Sequence, residues 1–343
     1  MNSKSNIESL LNQISEPAFI VQNGIITAVN ATAANRFIET GFSVEDFISQ
    51  GKEEYSQLEN GSLYLTVTLC GAEYPCVVTC LEDGNLFTIE TEAVQPELKV
   101  LSLAAQQLSF PVSELTLLLD QLEDNPKKAQ ISQNLFRLKR IIGNMADASR
   151  YETTVPNLTN CNVCGVFDEI LEKAQTLLNQ SGIQLTYHLP NQTVYSLVNQ
   201  EMLQRAVYNL LSNAAKFSDD KKSVDAQLKL NNNKLYFTVT SQNGCKNIDS
   251  NMFSRYLRQP GLEDRKYGLG LGMALVHAAA AAHNGTVLIQ QDKNHKIQVT
   301  MTLTITKSTQ STVRSPMLFP DVYGGIDQAL IELSDILSTE LYQ

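Results

Sequence analysis

The sequence predicts an α+β protein of several domains. At about 150 residues per domain, the chain's 343 residues are enough for two to three domains. Residues 18–92 alternate as short strands do, residues 96–151 have the period of two long helices, and residues 153–306 mix both patterns. Because the hydrophobic period changes twice, we expect three separately organised regions at 1–95, 96–152 and 153–306, with a linker and a C-terminal helix over 307–343.

The composition predicts a globular protein with hydrophobic cores that does not bind nucleic acid. Hydrophobic residues make up 43% of the chain and charged residues 18%, which is typical of globular rather than disordered proteins. The chain has 26 Lys and Arg against 36 Asp and Glu, a net charge of −10. Binding to a phosphate backbone is driven by positive charge, so we expect no nucleic acid partner.

Neither the apolar runs nor the N-terminus predicts a membrane location. No apolar run approaches the ~18 residues that cross a bilayer, and the nearest, 268–282, contains His277 and three glycines. The first residues lack the apolar core of a signal peptide. We therefore expect a cytoplasmic protein with no membrane partner and with reduced cysteines. Cys161 and Cys164 form a lone CxxC pair, more typical of packing than of a metal site.

Residues 1–95 predict a small domain with one antiparallel sheet. After a helix over 7–14, strands over 18–21 and 25–29 meet at Asn23-Gly24, the strongest short hairpin signal. A short helix follows Asn30. Further strands are expected at 62–69, 74–81 and 85–92.

Residues 96–152 predict a helical hairpin that is broken at Asp124-Asn125-Pro126. Apolar residues at steps of three and four draw one stripe along each helix. The first stripe contains Leu98, Leu101, Ala105, Leu108, Val112, Leu115, Leu119 and Leu122, and the second Ile131, Leu135, Leu138, Ile142 and Met145. Two helices cannot bury this seam alone, so we expect a homodimer through residues 96–152 that forms a four-helix bundle. Pro111 is unusual inside a helix, where proline costs about 3 kcal/mol.

Residues 153–306 predict an α/β unit, and its long helix carries a polar cluster. Asn199 is a good N-cap for a helix that runs through Phe217. On this helix Asn209, Asn213 and Lys216 are spaced i, i+4 and i+7 and share a face. Amide oxygens can ligate Mg²⁺ and an ammonium group can meet a phosphate. The alternative is an ordinary solvated polar face.

A glycine cluster opens the next helix. Gly268, Gly270 and Gly272 precede the helical run 273–276, which predicts backbone N–H groups close to a phosphate at a helix N-terminus. The spacing matches neither the dinucleotide fingerprint nor the P-loop. A helix stop is expected at Gly285, and strands at 286–290 and 297–306 close the unit.

In order and spacing these segments resemble the sensor histidine kinases. Residues 208–218 (YNLLSNAAKFS) are similar to the N box of that family, 267–276 (YGLGLGMALV) to its last glycine box, and 138–151 (LKRIIGNMADASRY) to its dimerisation helix. Residues 16–34 resemble the start of a PAS sensor domain. The resemblance to the kinases covers about residues 96–306.

The resemblance implies a PAS-like sensor, a dimerisation hairpin and an α/β sandwich with a Bergerat-type (GHKL) pocket for ATP and Mg²⁺. In that pocket Asn213 would ligate Mg²⁺, Asn209 would lie beside it and Lys216 near the phosphates, with residues 268–272 closing over them. It also implies a role for Pro111, because 108–112 (LSFPV) aligns with the H box, where a proline bends the helix.

The chain departs from the family pattern at three positions. Where the family has its phosphoacceptor histidine and the adjoining acid, this chain has Gln106 and Gln107. A carboxamide has no basic nitrogen to attack a phosphoryl group. Where active members have an adenine-reading Asp in a DxGxG motif, this chain has Gln242 and keeps only Gly244. A neutral acceptor is weaker than a charged one.

These departures favour a degenerate kinase that binds ATP-Mg²⁺ weakly and acts on a response regulator or another kinase through protein contacts. Two alternatives stay open. Retention of Asn209, Asn213 and Lys216 would suit an active kinase that phosphorylates a partner in trans. The chain could also be a non-catalytic dimeric scaffold, in which the glycines merely form loops.

Overall fold

The computed structural model of the chain describes residues 11, 13–90, 95–153, 155–216, 218, 223–242, 271–291, 296–307 and 327–343. The chain is a mixed α+β protein, as predicted. Most of the predicted helix at 7–14 lies outside the described residues. No helix in the described ranges is long and apolar enough to cross a membrane.

The N-terminal region is an antiparallel sheet with short helices. Its elements are β1 (Ala18–Gln22), β2 (Ile25–Val29), α1 (Ala31–Ala34), β3 (Ile48–Gln50), α2 (Lys52–Ser56), β4 (Ser62–Leu69), β5 (Ala72–Leu81) and β6 (Gly84–Ile89). The predicted β1–β2 hairpin is confirmed, with Asn23 and Gly24 both at positive φ, 52° and 77°, as a two-residue turn requires. The sequence did not predict β3 and α2.

Asn30 ties this region together. Its Oδ1 accepts from the backbone N–H groups of Ala33 (2.8 Å) and Ala18 (3.1 Å), and its Nδ2 donates to the carbonyl oxygen of Glu16 at 2.7 Å. The side chain therefore caps α1 and also fixes the start of β1.

Two long helices follow, α3 (Gln95–Asp120) and α4 (Pro126–Thr153), and the break falls where it was predicted. Helix α3 continues through Pro111. Asn125 caps α4 by accepting from the backbone N–H groups of Lys127 and Lys128, each at 2.9 Å. Only part of the apolar stripe on α3 is buried: Ala105, Val112 and Leu119 are covered, whereas Leu108, Leu115 and Leu122 are exposed.

The C-terminal region packs helices against a sheet. Its elements are β7 (Thr159–Asn162), α5 (Val163–Gln180), β8 (Gln184–His188), β9 (Tyr195–Val198), α6 (Gln200–Lys216), β10 (Ser223–Asn231), β11 (Lys234–Gln242), α7 (Leu271–Ala282), β12 (Val287–Gln291) and β13 (Lys296–Thr304). Apolar residues of α5, α6 and α7 meet the inner faces of β10, β11 and β13 in one core. Within it the rings of Phe167 and Phe237 are 4.9 Å apart.

The two regions share a sheet, which the sequence did not predict. Among the described residues, eleven strands form one sheet in the order β2-β1-β6-β5-β4-β12-β13-β11-β10-β8, with β3 beside β4. The join is the antiparallel pairing of β4 with β12, in which Leu63 lies opposite Leu288. Lys234 adds an ion pair with Glu54 across the join at 2.8 Å.

The C-terminal segment corrects one prediction. The apolar period over 326–341 predicted one continuous helix, but the structure has a short helix α8 (Gln328–Glu332), then turns, and a 3₁₀ turn at Thr339–Tyr342. The Gln133 side chain donates to the carbonyl oxygens of Ser334 (3.1 Å) and Leu337 (2.8 Å). Because α4 satisfies these acceptors, the segment need not continue as a helix.

Candidate functional site

Helix α6 carries the predicted polar cluster, and two hydrogen bonds of Asn199 fix its N-terminus. The Asn199 side chain accepts from the N–H group of Met202 at 2.9 Å, which confirms the predicted N-cap. The N–H group of Asn199 itself donates to Nε2 of His283 at 2.9 Å, and Nδ1 of His283 lies 2.6 Å from the carbonyl oxygen of Ala279. The end of α7 thus holds the start of α6.

Asn209 lies at the centre of the site and is only 1% exposed. Its Nδ2 donates to the carbonyl oxygen of Arg205 at 2.9 Å, and its Oδ1 accepts from Nη2 of Arg140 on α4 at 3.1 Å. A Cβ at Gly272, in the first turn of α7, would lie 2.7 Å from the same Oδ1. A residue other than glycine at 272 would therefore push Asn209 aside.

Lys216, on the last turn of α6, meets the C-terminal segment. Its Nζ pairs with Oδ2 of Asp335, which also accepts from Nη1 of Arg140 at 2.6 Å. Nε of Arg137 is 3.8 Å from the other carboxylate oxygen. Burial acts to raise the pKa of Asp335, but the charges of Arg140 and Lys216 outweigh it and lower that pKa. Burial, aided by the charge of Arg140, lowers the pKa of Lys216 despite its pairing with Asp335.

Asn213 differs from its two neighbours in the cluster. It is half-buried, and within the described part of the chain its side chain makes no hydrogen bond. Gln242 is the last residue of β11. Gly244, Gly268 and Gly270 lie outside the described residues, so of the glycines only Gly272 has a described position in the site.

A buried ionic network that the sequence did not predict surrounds the site. Nη2 of Arg205 lies 3.2 Å from Oε1 of Glu332 and 2.8 Å from Oδ1 of Asn144, and Nη1 pairs with Asp147. Nε of Arg140 is 3.6 Å from Oε2 of Glu332, whose side chain is fully buried. Glu332 lies within the apolar run 329–333. A carboxylate in such a run is the sequence feature that could have indicated a buried ion pair.

The predicted phosphoacceptor position lies on α3. Gln106 and Gln107 are both exposed there. Of the four histidines, His277 and His283 are buried in or next to α7 and His188 lies on β8, while His295 is outside the described residues. No described histidine lies on the hairpin.

The family model for the histidine kinase-, DNA gyrase B-, and HSP90-like ATPases matches residues 198–307. This span contains Asn209, Asn213, Lys216 and Gly272, together with the glycines at 244, 268 and 270 that are not described.

Similarity to individual proteins extends beyond that span. The hybrid signal transduction histidine kinase D of Dictyostelium discoideum is 27% identical over 186 residues, which cover 51% of this chain and 12% of that protein. The sensor-like histidine kinase SenX3 of Mycolicibacterium smegmatis is 26% identical over 197 residues, 53% of this chain and 51% of SenX3. The solved structure of full-length ShkA in complex with AMPPNP aligns with a TM-score of 0.48 at 15% identity, covering 61% of this chain and 46% of ShkA. The chain thus spans about half or less of the length of these curated relatives.

Proposed function

We propose that this chain, which belongs to the histidine kinase family, is a degenerate member of that family. It binds ATP-Mg²⁺ weakly and regulates a two-component pathway through protein contacts. One observation carries the proposal: the exposed residues five and four positions before Pro111 on α3 are Gln106 and Gln107. Neither amide can accept a phosphoryl group as an imidazole does, or serve as a general base at neutral pH.

The residues on α6 fit a nucleotide with its metal ion. Asn213 has an amide oxygen that the described residues leave without a partner, and such an oxygen suits Mg²⁺. Bound Mg²⁺ would neutralise phosphate charge. Lys216 would hold the phosphates and Asn209 would lie beside the metal, with Gln242 and the glycines at 244, 268, 270 and 272 around the nucleotide. Loss of the charged adenine acceptor at 242 is the reason to expect weak binding.

The hairpin suits a homodimer through residues 96–152. Helix α3 has many exposed apolar residues, and a four-helix bundle would bury them. Its exposed residues are Val100, Leu103, Leu108, Phe110, Leu115, Leu117, Leu118 and Leu122. In this reading residues 1–95 form a PAS-like sensor that biases the bundle, and a response regulator or another kinase reads its state.

Incubation with γ-labelled ATP tests the absence of autophosphorylation. The full chain should acquire no acid-labile label, and appreciable label would overturn the proposal. Calorimetry with AMPPNP-Mg²⁺ tests the retained pocket. Binding should be measurable and should be lost in Asn213→Ala, whereas Asn191→Ala, at an exposed asparagine of the same region, should bind as the wild type does.

A second function is favoured by the survival of the complete Asn209, Asn213 and Lys216 set on one helix. The chain would then use ATP to phosphorylate a partner in trans. Label transferred to a candidate response regulator or kinase only when this chain is present would support that function, and an Asn213→Ala chain should transfer none.

A further inference from the structure

The carboxylate of Asp335 lies among three cationic side chains from two helices. Asp335 pairs with Lys216 at the end of α6, with Arg140 of α4 at 2.6 Å and with Arg137 of α4 at 3.8 Å. Like charges repel, and an anion between them offsets that repulsion. The three side chains therefore form an anion site, and Asp335 is the anion in it.

The C-terminal segment holds that carboxylate in place. Gln133 binds the carbonyl oxygens on either side of the turn that carries Asp335, and the ring of Phe136 lies 5.0 Å from the ring of Tyr342. Leu333 and Leu337 are buried in the main core. The segment thus packs through its apolar residues, and this packing holds Asp335 beside Arg140 and Lys216.

The side chain of Asp335 is more exposed to solvent than that of the neighbouring Glu332. The Glu332 side chain is fully buried, whereas that of Asp335 is 29% exposed. The Asp335 carboxylate is therefore partly open to water, although Arg140 and Lys216 are 7% and 14% exposed. An anion from solvent can reach the cations at this open side, whereas it could reach those around Glu332 only if the segment unpacked.

We propose that Asp335 is an internal competitor, which occupies an anion site of Arg137, Arg140 and Lys216 and must be displaced by the polyphosphate of a nucleotide. This inference rests on the proposed function, because Lys216 is the residue expected beside the phosphates. It adds two arginines of the hairpin to the site and makes the C-terminal segment an autoinhibitory element.

The displacement also acts on the hairpin. Arg140 donates to both Asp335 and Asn209, so it links the C-terminal segment, α4 and the centre of α6. A polyphosphate that takes over Arg140 would change the contacts between the hairpin and α6. A ligand shifts such an equilibrium only by binding one arrangement better than the other.

The test is a titration of the intact chain with two probes, AMPPNP-Mg²⁺ and inorganic triphosphate. The variants are Asp335→Asn, which keeps the shape and removes the charge, and Glu340→Gln, which removes an exposed charge from the same segment. If the closed form is favoured by about ten to one, Asp335→Asn should bind both probes about tenfold more tightly. Glu340→Gln should bind like the wild type. Asp335→Ser replaces Asp335→Asn if the latter fails to fold, as judged by its melting transition.

The two probes separate failure of this inference from failure of the proposed function. Equal AMPPNP affinity in the wild type and in Asp335→Asn overturns the inference and leaves the nucleotide pocket standing. Tighter triphosphate binding by Asp335→Asn, with no AMPPNP binding by either protein, supports the anion site and overturns the nucleotide pocket. If neither probe binds to Asp335→Asn, both are wrong.

Discussion

Nε2 of His283 accepts a hydrogen bond from the backbone N–H group of Asn199 at 2.9 Å, while Nδ1 lies 2.6 Å from the carbonyl oxygen of Ala279. The second contact requires a proton on Nδ1, so the imidazole is neutral with Nε2 as the acceptor. A second proton would turn Nε2 into a donor facing another donor. The contact therefore joins α6 to the end of α7 only while His283 is neutral.

We expect stability to fall as the pH falls below about 6.5, the ordinary pKa of histidine. Burial lowers the pKa of His283, although its hydrogen bond to Ala279 acts in the other direction. The unfolded chain takes up a proton before the folded chain does, so acid favours unfolding until the pH passes the folded pKa. This histidine contributes at most about 1.4 kcal/mol per pH unit. Urea unfolding at several pH values measures it. His283→Gln should flatten the dependence, and His188→Gln, on an exposed residue, should not.

Gly61→Ala should weaken the join between the two halves of the sheet. A Cβ at Gly61 would lie 2.1 Å from the carbonyl oxygen of Ile289, on β12. Gly71 is the matched control, because its φ of +82° is close to the +84° of Gly61 and its Cβ would meet nothing within 4 Å. Gly71→Ala should cost about 1–2 kcal/mol for positive φ alone. Gly61→Ala should cost clearly more in chemical denaturation. Equal losses would show that the β4–β12 contact adds nothing to stability.

Glu332→Gln should destabilise the fold. The Glu332 carboxylate lies between Arg205 and Arg140 with no exposed surface, and removing one partner of a buried ion pair costs about 3–5 kcal/mol. Arg205 keeps Asp147 and Arg140 keeps Asp335, so we expect the lower end of that range in the free energy of unfolding. Glu340→Gln, an exposed residue nearby, should change it by no more than about 0.5 kcal/mol. A loss as small in Glu332→Gln would contradict the ionic role.

Gln106→His should create a phosphoacceptor where the proposed function finds none. The side chain at 106 is exposed on α3, so an imidazole there would be open to a phosphoryl donor. Acid-labile label from γ-labelled ATP should appear in this variant and not in Gln130→His, which makes the same change at an exposed position of α4. Absence of label in Gln106→His, despite AMPPNP binding, would mean that the pocket has lost phosphoryl transfer as well as its acceptor.

Leu115→Glu should weaken the proposed homodimer. Leu115 is 50% exposed on α3, and a charge that the bundle buried there would have no partner. Sedimentation over a range of concentrations should show a dissociation constant raised by about tenfold or more, a change of about 1.4 kcal/mol. Val155→Glu changes a residue that is 91% exposed outside the hairpin and should leave the dimer intact. A wild type that is monomeric at all concentrations would remove the proposed dimer.

Local sequence was sufficient for most of the helices and strands. Asn23-Gly24 allows the positive φ angles of the hairpin turn, Asn125 and Asn199 cap the helices that follow them, and Asp124-Asn125-Pro126 separates α3 from α4. These signals act within a few residues, where backbone conformation and hydrogen bonding depend on neighbouring side chains. The predicted helix stop at Gly285 was only partly confirmed. The helix ends at Ala282, three residues earlier, and Asn284 takes the positive φ. Gly285 is needed for a different reason, because a Cβ there would lie 1.8 Å from the carbonyl oxygen of Thr302.

The spacing of Asn209, Asn213 and Lys216 was also readable from the sequence, because residues three and four apart share a helix face. Their partners were not. Arg140, Glu332 and Asp335 come from α4 and from the C-terminal segment, 69 to 195 residues away from the atoms they bind. Contacts of that separation depend on how the hairpin, the sheet and the chain end pack together, and periodicity carries no information about it. The same packing ended the C-terminal helix early and engaged Asn209 and Lys216 with protein partners.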